Sequence, residues 1–261
     1  MVNVENKVNK LVKQQFGREA EKYVTSKVHN NPEDLEFIID FIEPKESWIA
    51  LDIATGGGHL ALALSSKVSK IYATDLTQEM LEQVNKQAKE KEITNLEAKL
   101  EDVHELSFDS ETFDLVCVRL APHHFHDIAK ALGEMKRVTK KGGYIFIQDT
   151  LGPENPDARL FFNEIEKLRD PSHVHDLSES EWIDLFKNTS LPLLKKDKRE
   201  KRWPFLWWTE RMSTPAEVVE QIRLLIEENK SKFRYSIRID RSESDIFVLR
   251  PYNGYFLGQK E

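Results

Sequence analysis

A chain of 261 residues is long enough for one large α/β domain with an appended cap. With 39% hydrophobic and 32% charged residues, it can bury a sizeable core under a charged exterior, which excludes a disordered chain. A formal net charge of -7 repels phosphate backbones and argues against a nucleic-acid partner. No run approaches the ~20 apolar residues of a spanning helix. The N-terminus lacks a signal-peptide core, and the lone Cys117 has no disulfide partner, so a cytoplasmic protein with no membrane span is expected.

In chain order, Val4, Val8, Leu11, Val12 and Phe16 recur at helical spacing and predict an amphipathic N-terminal helix that covers the core. A second helix opens near Pro32 and carries Leu35, Ile38, Ile39 and Ile42. From Trp48 to Asp149 short apolar runs alternate with helical-period segments, the pattern of βαβ units on a parallel sheet. Strands are expected at Trp48 to Ala54, Lys70 to Thr74, Leu96 to Leu100, Phe113 to Leu120 and Tyr144 to Gln148, with Cys117 an inert thiol in the fourth. Between them lie helices at Leu60 to Ser65, after the N-cap Thr77, and at Ile128 to Val138, the last closed by Gly142 and Gly143.

Beyond Asp149, a loop with Pro153 and Pro156 leads to helices around Asp157 to Leu168 and Ser178 to Phe186, the latter opened by a Ser178 to Glu181 capping box. A charged run, Lys195 to Arg202, precedes an aromatic run from Trp203 to Trp208. A helix near Pro215 to Glu228 and a strand at Tyr255 to Gly258 complete the chain.

The first strand runs into Leu51-Asp52-Ile53-Ala54-Thr55-Gly56-Gly57-Gly58-His59, where glycines let backbone N–H groups approach a ligand at a helix N-terminus. Gly56, Gly58 and Ala61 fit a GxGxxA dinucleotide pattern, and Asp75 falls where a ribose-binding acid belongs. Two more acids shift the balance: Asp52 just before the glycines, and Glu101-Asp102 at the end of the third strand. A pyrophosphate gains nothing from an extra acid, whereas a ligand bearing an ammonium and a sulfonium does. Asp75 would accept the ribose hydroxyls and Asp102 an exocyclic adenine amine.

On these residues the sequence resembles the class I S-adenosylmethionine-dependent methyltransferases of the type 11 group, which includes the ubiquinone/menaquinone-biosynthesis C-methyltransferases. Asp52 to Gly58 resembles the family's glycine motif, Asp75 its acidic motif, Glu101-Asp102-Val103 its adenine motif and Phe113-Asp114 the start of its fourth strand. Arg137 to Gly143 is similar to its helix-to-fifth-strand segment, and Phe16-Gly17 with Tyr23 to its N-terminal lid. Ala54 and Glu101 depart from the family, standing where many members have glycine.

The resemblance implies a Rossmann-like, doubly wound, mostly parallel seven-stranded sheet with helices on both faces. It implies one methyltransferase domain over 1–261, with an N-terminal helical lid (1–45), a cofactor-binding core (46–150) and a cap with C-terminal strands (151–261). It assigns S-adenosyl-L-methionine to Tyr23, Asp52, Ala54, Gly56, Gly58, Asp75, Leu76, Met80, Asp102, Val103 and the backbone around Arg119, with a small-molecule acceptor. An NAD(P)-dependent reductase or a non-catalytic nucleotide-binding protein is the alternative.

The fourth strand ends in Arg119-Leu120-Ala121-Pro122-His123-His124-Phe125-His126-Asp127, beside the expected transferable methyl. His123 or His124 is the candidate base or substrate contact, and Asp149, at the end of the fifth strand, could orient a substrate or accept its proton. No metal is expected from His123, His124, His126 and Asp127, because adjacent residues rarely point at one ion. Arg169 and His173 could hold an acidic substrate group, though Pro171 favours a surface turn. The aromatic run could line an apolar pocket, but reads better as a buried strand edge.

Overall fold

A computed structural model describes residues 4–24, 30–240 and 247–261, and the side chains of all of these except 4–6, 18–24 and 235. In chain order the elements are α1 (Val4–Val24), α2 (Pro32–Ile42), β1 (Ile49–Ile53), α3 (His59–Ser65), β2 (Lys70–Asp75), α4 (Gln78–Glu90), β3 (Leu96–Leu100), β4 (Phe113–Arg119), α5 (Ile128–Val138) and β5 (Thr139–Leu151). The C-terminal part adds α6 (Pro156–Arg169), α7 (Glu179–Asn188), β6 (Leu193–Glu200), β7 (Trp203–Pro204), α8 (Phe205–Glu210), α9 (Ala216–Phe233), β8 (Ile239–Asp240), β9 (Val248–Leu249) and β10 (Tyr252–Gln259).

Among the described residues, seven strands form one sheet in the order β3-β2-β1-β4-β5-β10-β6. The first five run parallel, and β10 enters antiparallel to both β5 and β6. Strand alternation then divides the core into two layers. Val116 and Val118 of β4 face one, packed with α5 residues Leu132 and Met135, while Leu115 and Cys117 face the other, packed with Ile38 of α2 and Leu64 of α3. Fully burying each large apolar side chain contributes roughly 1.5–3 kcal/mol, so helices on both faces hold the sheet. A third cluster, centred on Phe162, Phe205, Trp208, Ile222 and Phe247, joins α6, α8 and α9 to the small sheet β7-β9-β8. The doubly wound fold expected from the sequence is the one observed. No helix among the described residues is long and apolar enough to cross a membrane.

Two local readings need correction. Gly142 and Gly143 do not close α5, which ends at Val138; they lie inside β5, a strand of 13 residues that begins at Thr139. The ladder explains the extension: Thr139 pairs with Phe113, a register shift follows, and Gly142 takes φ 74. At the other end, β10 pairs with β5 as far as Leu151. The charged run, meanwhile, is largely the edge strand β6, whose lysines point to solvent and discourage further strand pairing.

The turn after β1 is built on left-handed backbone. Ala54 (φ 50), Gly56 (φ 53) and Gly58 (φ 79) all lie there. Gly58 caps α3 so closely that a Cβ would sit 2.9 Å from Val84 Cγ2 of α4. Gly58→Ala should therefore destabilise the fold by about 2 kcal/mol through backbone strain and overpacking. Ala54→Gly, which relieves a left-handed alanine, should stabilise it by roughly 0.5–1 kcal/mol. Chemical denaturation of both variants checks the opposite signs; two destabilised proteins would contradict this account of the turn.

Candidate active site

Because β1, β2, β3 and β4 run parallel, their C-terminal ends arrive together at one edge of the sheet, and the acids carried there converge. Asp52, Asp75, Glu101 and Asp102 all line one cleft of about 1000 Å³. So do Ala54, Gly56, Leu76, Met80, Val103 and Arg119 from the expected cofactor set. Gly58 packs against Val84 rather than facing the cleft, and the side chain of Tyr23 lies outside the described residues. A Cβ at Gly56 would meet open space.

Each acid is held differently. Asp52 is buried and accepts a hydrogen bond from the Thr55 hydroxyl at 2.6 Å; burial raises its pKa to about 7, against the pull of Thr55 and Arg119. Asp75 accepts the Gly56 N–H through Oδ2 and the Thr77 N–H through Oδ1, both at 2.9 Å, and burial raises it as well. Its carboxylate therefore shapes the glycine turn, and Thr77 opens α4 without a capping bond from its hydroxyl. Burial works against ionisation of Asp102, but the bonds from His104 win and bring it down to about 2. Asp102 Oδ1 accepts the His104 N–H at 2.9 Å, and Oδ2 accepts the Asn9 side-chain N–H at 2.7 Å.

Asn9 belongs to α1, which also brings Val12 and Phe16 to the cleft and reaches the cap through a Gln15 bond to the Met212 carbonyl. Sequence periodicity marked Val12 and Phe16 as core-facing, but gave no signal for Asn9. The guanidinium of Arg119 bonds Asp34 and Gln148, each at 2.8 Å.

A second cavity, of about 810 Å³, lies between the sheet edge and the C-terminal elements and shares Phe16, Leu120 and His124 with the cleft. His123 lines it. Asp149 stands behind, 1% exposed, accepting the His123 N–H at 2.8 Å and facing the ring Nδ1 at 2.6 Å. Burial alone would depress the His123 pKa, but the Asp149 carboxylate overrides it and raises it to about 9. His124, by contrast, is pushed down to about 3 by burial and the neighbouring His123 charge. Its Nδ1 lies 3.2 Å from the Ser172 hydroxyl, and its ring meets Phe16 edge-on at 5.1 Å.

The 169–173 segment is not a surface turn. Asp170, Ser172 and His173 are buried: Asp170 accepts the Ser172 N–H and hydroxyl, while His173 Nε2 bonds Asn163 Oδ1 at 2.8 Å. Arg169, paired with Glu166 at 2.6 Å, lines the cavity with His173. Nor is the aromatic run merely a strand edge, since Trp203, Trp207 and Trp208 form a cavity wall. His126 lies against His104, ring centroids 3.6 Å apart and tilted by 33°, and Asp127 caps α5, so neither joins His123. Asp176, which sequence reasoning missed, does: His123, Asp149 and Asp176 bring ligand-type atoms within 4.8 Å of one another.

The methyltransferase domain profile matches residues 51–147, from β1 into β5. An uncharacterized methyltransferase, YcgJ of Bacillus subtilis, is 36% identical over 207 residues, 79% of this chain and 82% of its own. The crystal structure of the YcgJ protein superposes with a TM-score of 0.82, covering 88% of this chain and 99% of that one. The ubiquinone/menaquinone biosynthesis C-methyltransferase UbiE of Zymomonas mobilis is 33% identical over 111 residues, 42% of this chain and 46% of its own. With the glycine turn, the strand-tip acids and a close relative over most of its length, the chain belongs to the S-adenosylmethionine-dependent methyltransferases.

Proposed function

We propose that the enzyme methylates a small molecule, with the methyl donor in the cleft at the tips of β1 to β4 and the acceptor in the cavity under the cap. The observation that carries this reading is the wall the two spaces share at Phe16, Leu120 and His124. One domain would do this work, with 1–45 as lid, 46–150 as cofactor-binding core and 151–261 as cap.

In this reading Asp52 faces the positive end of the cofactor, and a nearby cation would restore its ionised form. Asp75 takes the ribose hydroxyls, Asp102 the adenine amine, and Leu76, Met80 and Val103 the apolar faces of the base. Ala54, Gly56 and Gly58 shape the turn, Arg119 contributes backbone, and Tyr23 belongs to the lid. S-adenosylmethionine, when bound, supplies a methyl group already activated by its sulfonium. The chain's remaining tasks are alignment, exclusion of water and handling of the acceptor's proton. Asp149 orients His123 and keeps it an imidazolium at neutral pH, so His123 acts as a donor to the acceptor rather than as a base. His124 stays neutral and lines both spaces, and with its pKa pushed down to about 3 it contacts and positions the acceptor without serving as a base. The tryptophan wall excludes water.

Three measurements test this. Asp75→Ala should lose about 1.5–3 kcal/mol of affinity for S-adenosylhomocysteine by isothermal titration, with its circular dichroism unchanged; a variant that fails to fold would make Asp75 structural instead. Second, the enzyme incubated with methyl-labelled cofactor and a small-molecule extract should yield a labelled product by mass spectrometry. Trp207→Ala should lower kcat/KM for that product's formation by about tenfold while sparing cofactor affinity, and an unchanged kcat/KM would move the acceptor elsewhere. Third, the folded pKa of His123, about 9, exceeds an unfolded value of about 6.5. Its stabilising contribution is thus complete below pH 6.5 and lost as pH rises through about 9. The stability advantage of wild type over His123→Gln should shrink by roughly 3 kcal/mol between pH 6 and pH 9.5; denaturation curves showing a constant gap would contradict the His123–Asp149 pairing.

A further inference from the structure

The cavity beneath the cap contains polar atoms that meet nothing in the protein. Asp176 Oδ1, on the loop between α6 and α7, Asn253 Oδ1 on β10 and the indole Nε1 of Trp208 on α8 are buried without a hydrogen-bond partner. Their residues are only 2%, 3% and 2% exposed, and all three line the cavity. An unanswered buried carboxylate oxygen is costly, and native structures keep few of them.

The other acids around the space are answered. Glu166 pairs with Arg169 at 2.6 Å, Asp34 with Arg119 and Lys201, Asp170 with the Ser172 N–H and hydroxyl, and Asp149 with His123. Asp176 Oδ2 lies 3.9 Å from His173 Nε2, whose hydrogen bond goes to Asn163. Burial holds the Asp176 carboxyl well above the usual range; the charges of His123 and, less strongly, Arg169 oppose this, and nearby Glu166 and Asp149 reinforce it. The nearby cations are thus spoken for, His123 by Asp149 at 2.6 Å and Arg169 by Glu166 at 2.6 Å, and neither hydrogen-bonds Asp176 Oδ1. The tryptophan wall tolerates cations: Arg169 lies 5.1 Å over Trp208 and Arg211 5.6 Å over Trp207.

We propose that the acceptor carries a basic amine, seated as an ammonium against Asp176, with the Asn253 carbonyl oxygen open to a further donor on the same molecule and the tryptophans packing its body. This rests on the cavity being the acceptor site. Asp176 anchors and orients the acceptor; the identity of the methylated atom is a separate matter.

The test uses four probes of one shape, benzylamine, benzyl alcohol, toluene and benzoate, titrated into the full chain saturated with S-adenosylhomocysteine and followed by tryptophan emission and calorimetry. Benzylamine should bind tightest. Asp176→Asn should weaken it by about tenfold or more, as loss of a charge-assisted bond does, with the alcohol changed far less and S-adenosylhomocysteine affinity retained. The ranking of the four probes in the wild-type protein stands alone should the variant not fold. Toluene or benzoate binding as tightly as benzylamine, in a manner lost in Trp207→Ala, overturns the amine and leaves the cavity as acceptor site. An Asp176→Asn protein that folds and binds benzylamine like wild type also overturns it. If none of the four probes binds while S-adenosylhomocysteine does, both the amine and the acceptor cavity fall.

Discussion

The buried carboxylate of Asp34 ties the sheet edge to its covering helix, and the rest of the site depends on that tie. Rooted in α2, Asp34 accepts hydrogen bonds from Arg119 at 2.8 Å, from the Tyr255 hydroxyl at 2.6 Å, and at 3.3 Å from both Gln148 and Lys201. Burial opposes its charge, but Arg119 and Tyr255 prevail and hold the carboxyl far below the usual carboxylate range. Breaking such a buried pair from one side costs about 3–5 kcal/mol, because the surviving charge has no water to turn to. Arg119 is the last residue of β4. The chain that leaves it, through Leu120 at φ 53 to His123 and His124, runs between the two cavities. Fixing the guanidinium fixes where that segment begins.

From there the chemistry divides by environment rather than by residue type. Asp52 and Asp102 sit on neighbouring parts of one cleft, yet burial lifts the first toward neutrality while His104 holds the second ionised. His123 and His124 are adjacent in sequence, yet a carboxylate behind one and apolar burial of the other separate their charges at neutral pH. A charged and a neutral imidazole thus stand side by side without any unusual residue being required.

The parallel core was legible because burial on both faces leaves unbroken apolar strands, and because a parallel sheet delivers its strand tips to one edge whatever the side chains between. Asp52, Asp75 and Asp102 could therefore be placed together from spacing alone. Asp34 could not: one acid near the start of an amphipathic helix reads as a solvated N-terminal charge, and its partners lie 85 to 221 residues away. The true extent of β5 was hidden for the same reason, since Gly142 and Gly143 look like a helix stop until Thr139 pairs with Phe113 of β4 and the backbone of Lys260 bonds both glycines. In the cap, Pro171 gives a turn signal that says nothing of what packs over it. His173 and the Asp176 N–H both bond Asn163 of α6, and Ser172 meets His124 beyond β4, partners that local sequence cannot name.

The position of α1 joins the two cavities through one element. The same helix puts Asn9 on Asp102 in the cleft, Phe16 on the wall of both spaces, and Gln15 on the carbonyl of Met212. One helix thus borders both cavities, and on the reading proposed above any change that loosens α1 would be felt by donor and acceptor together.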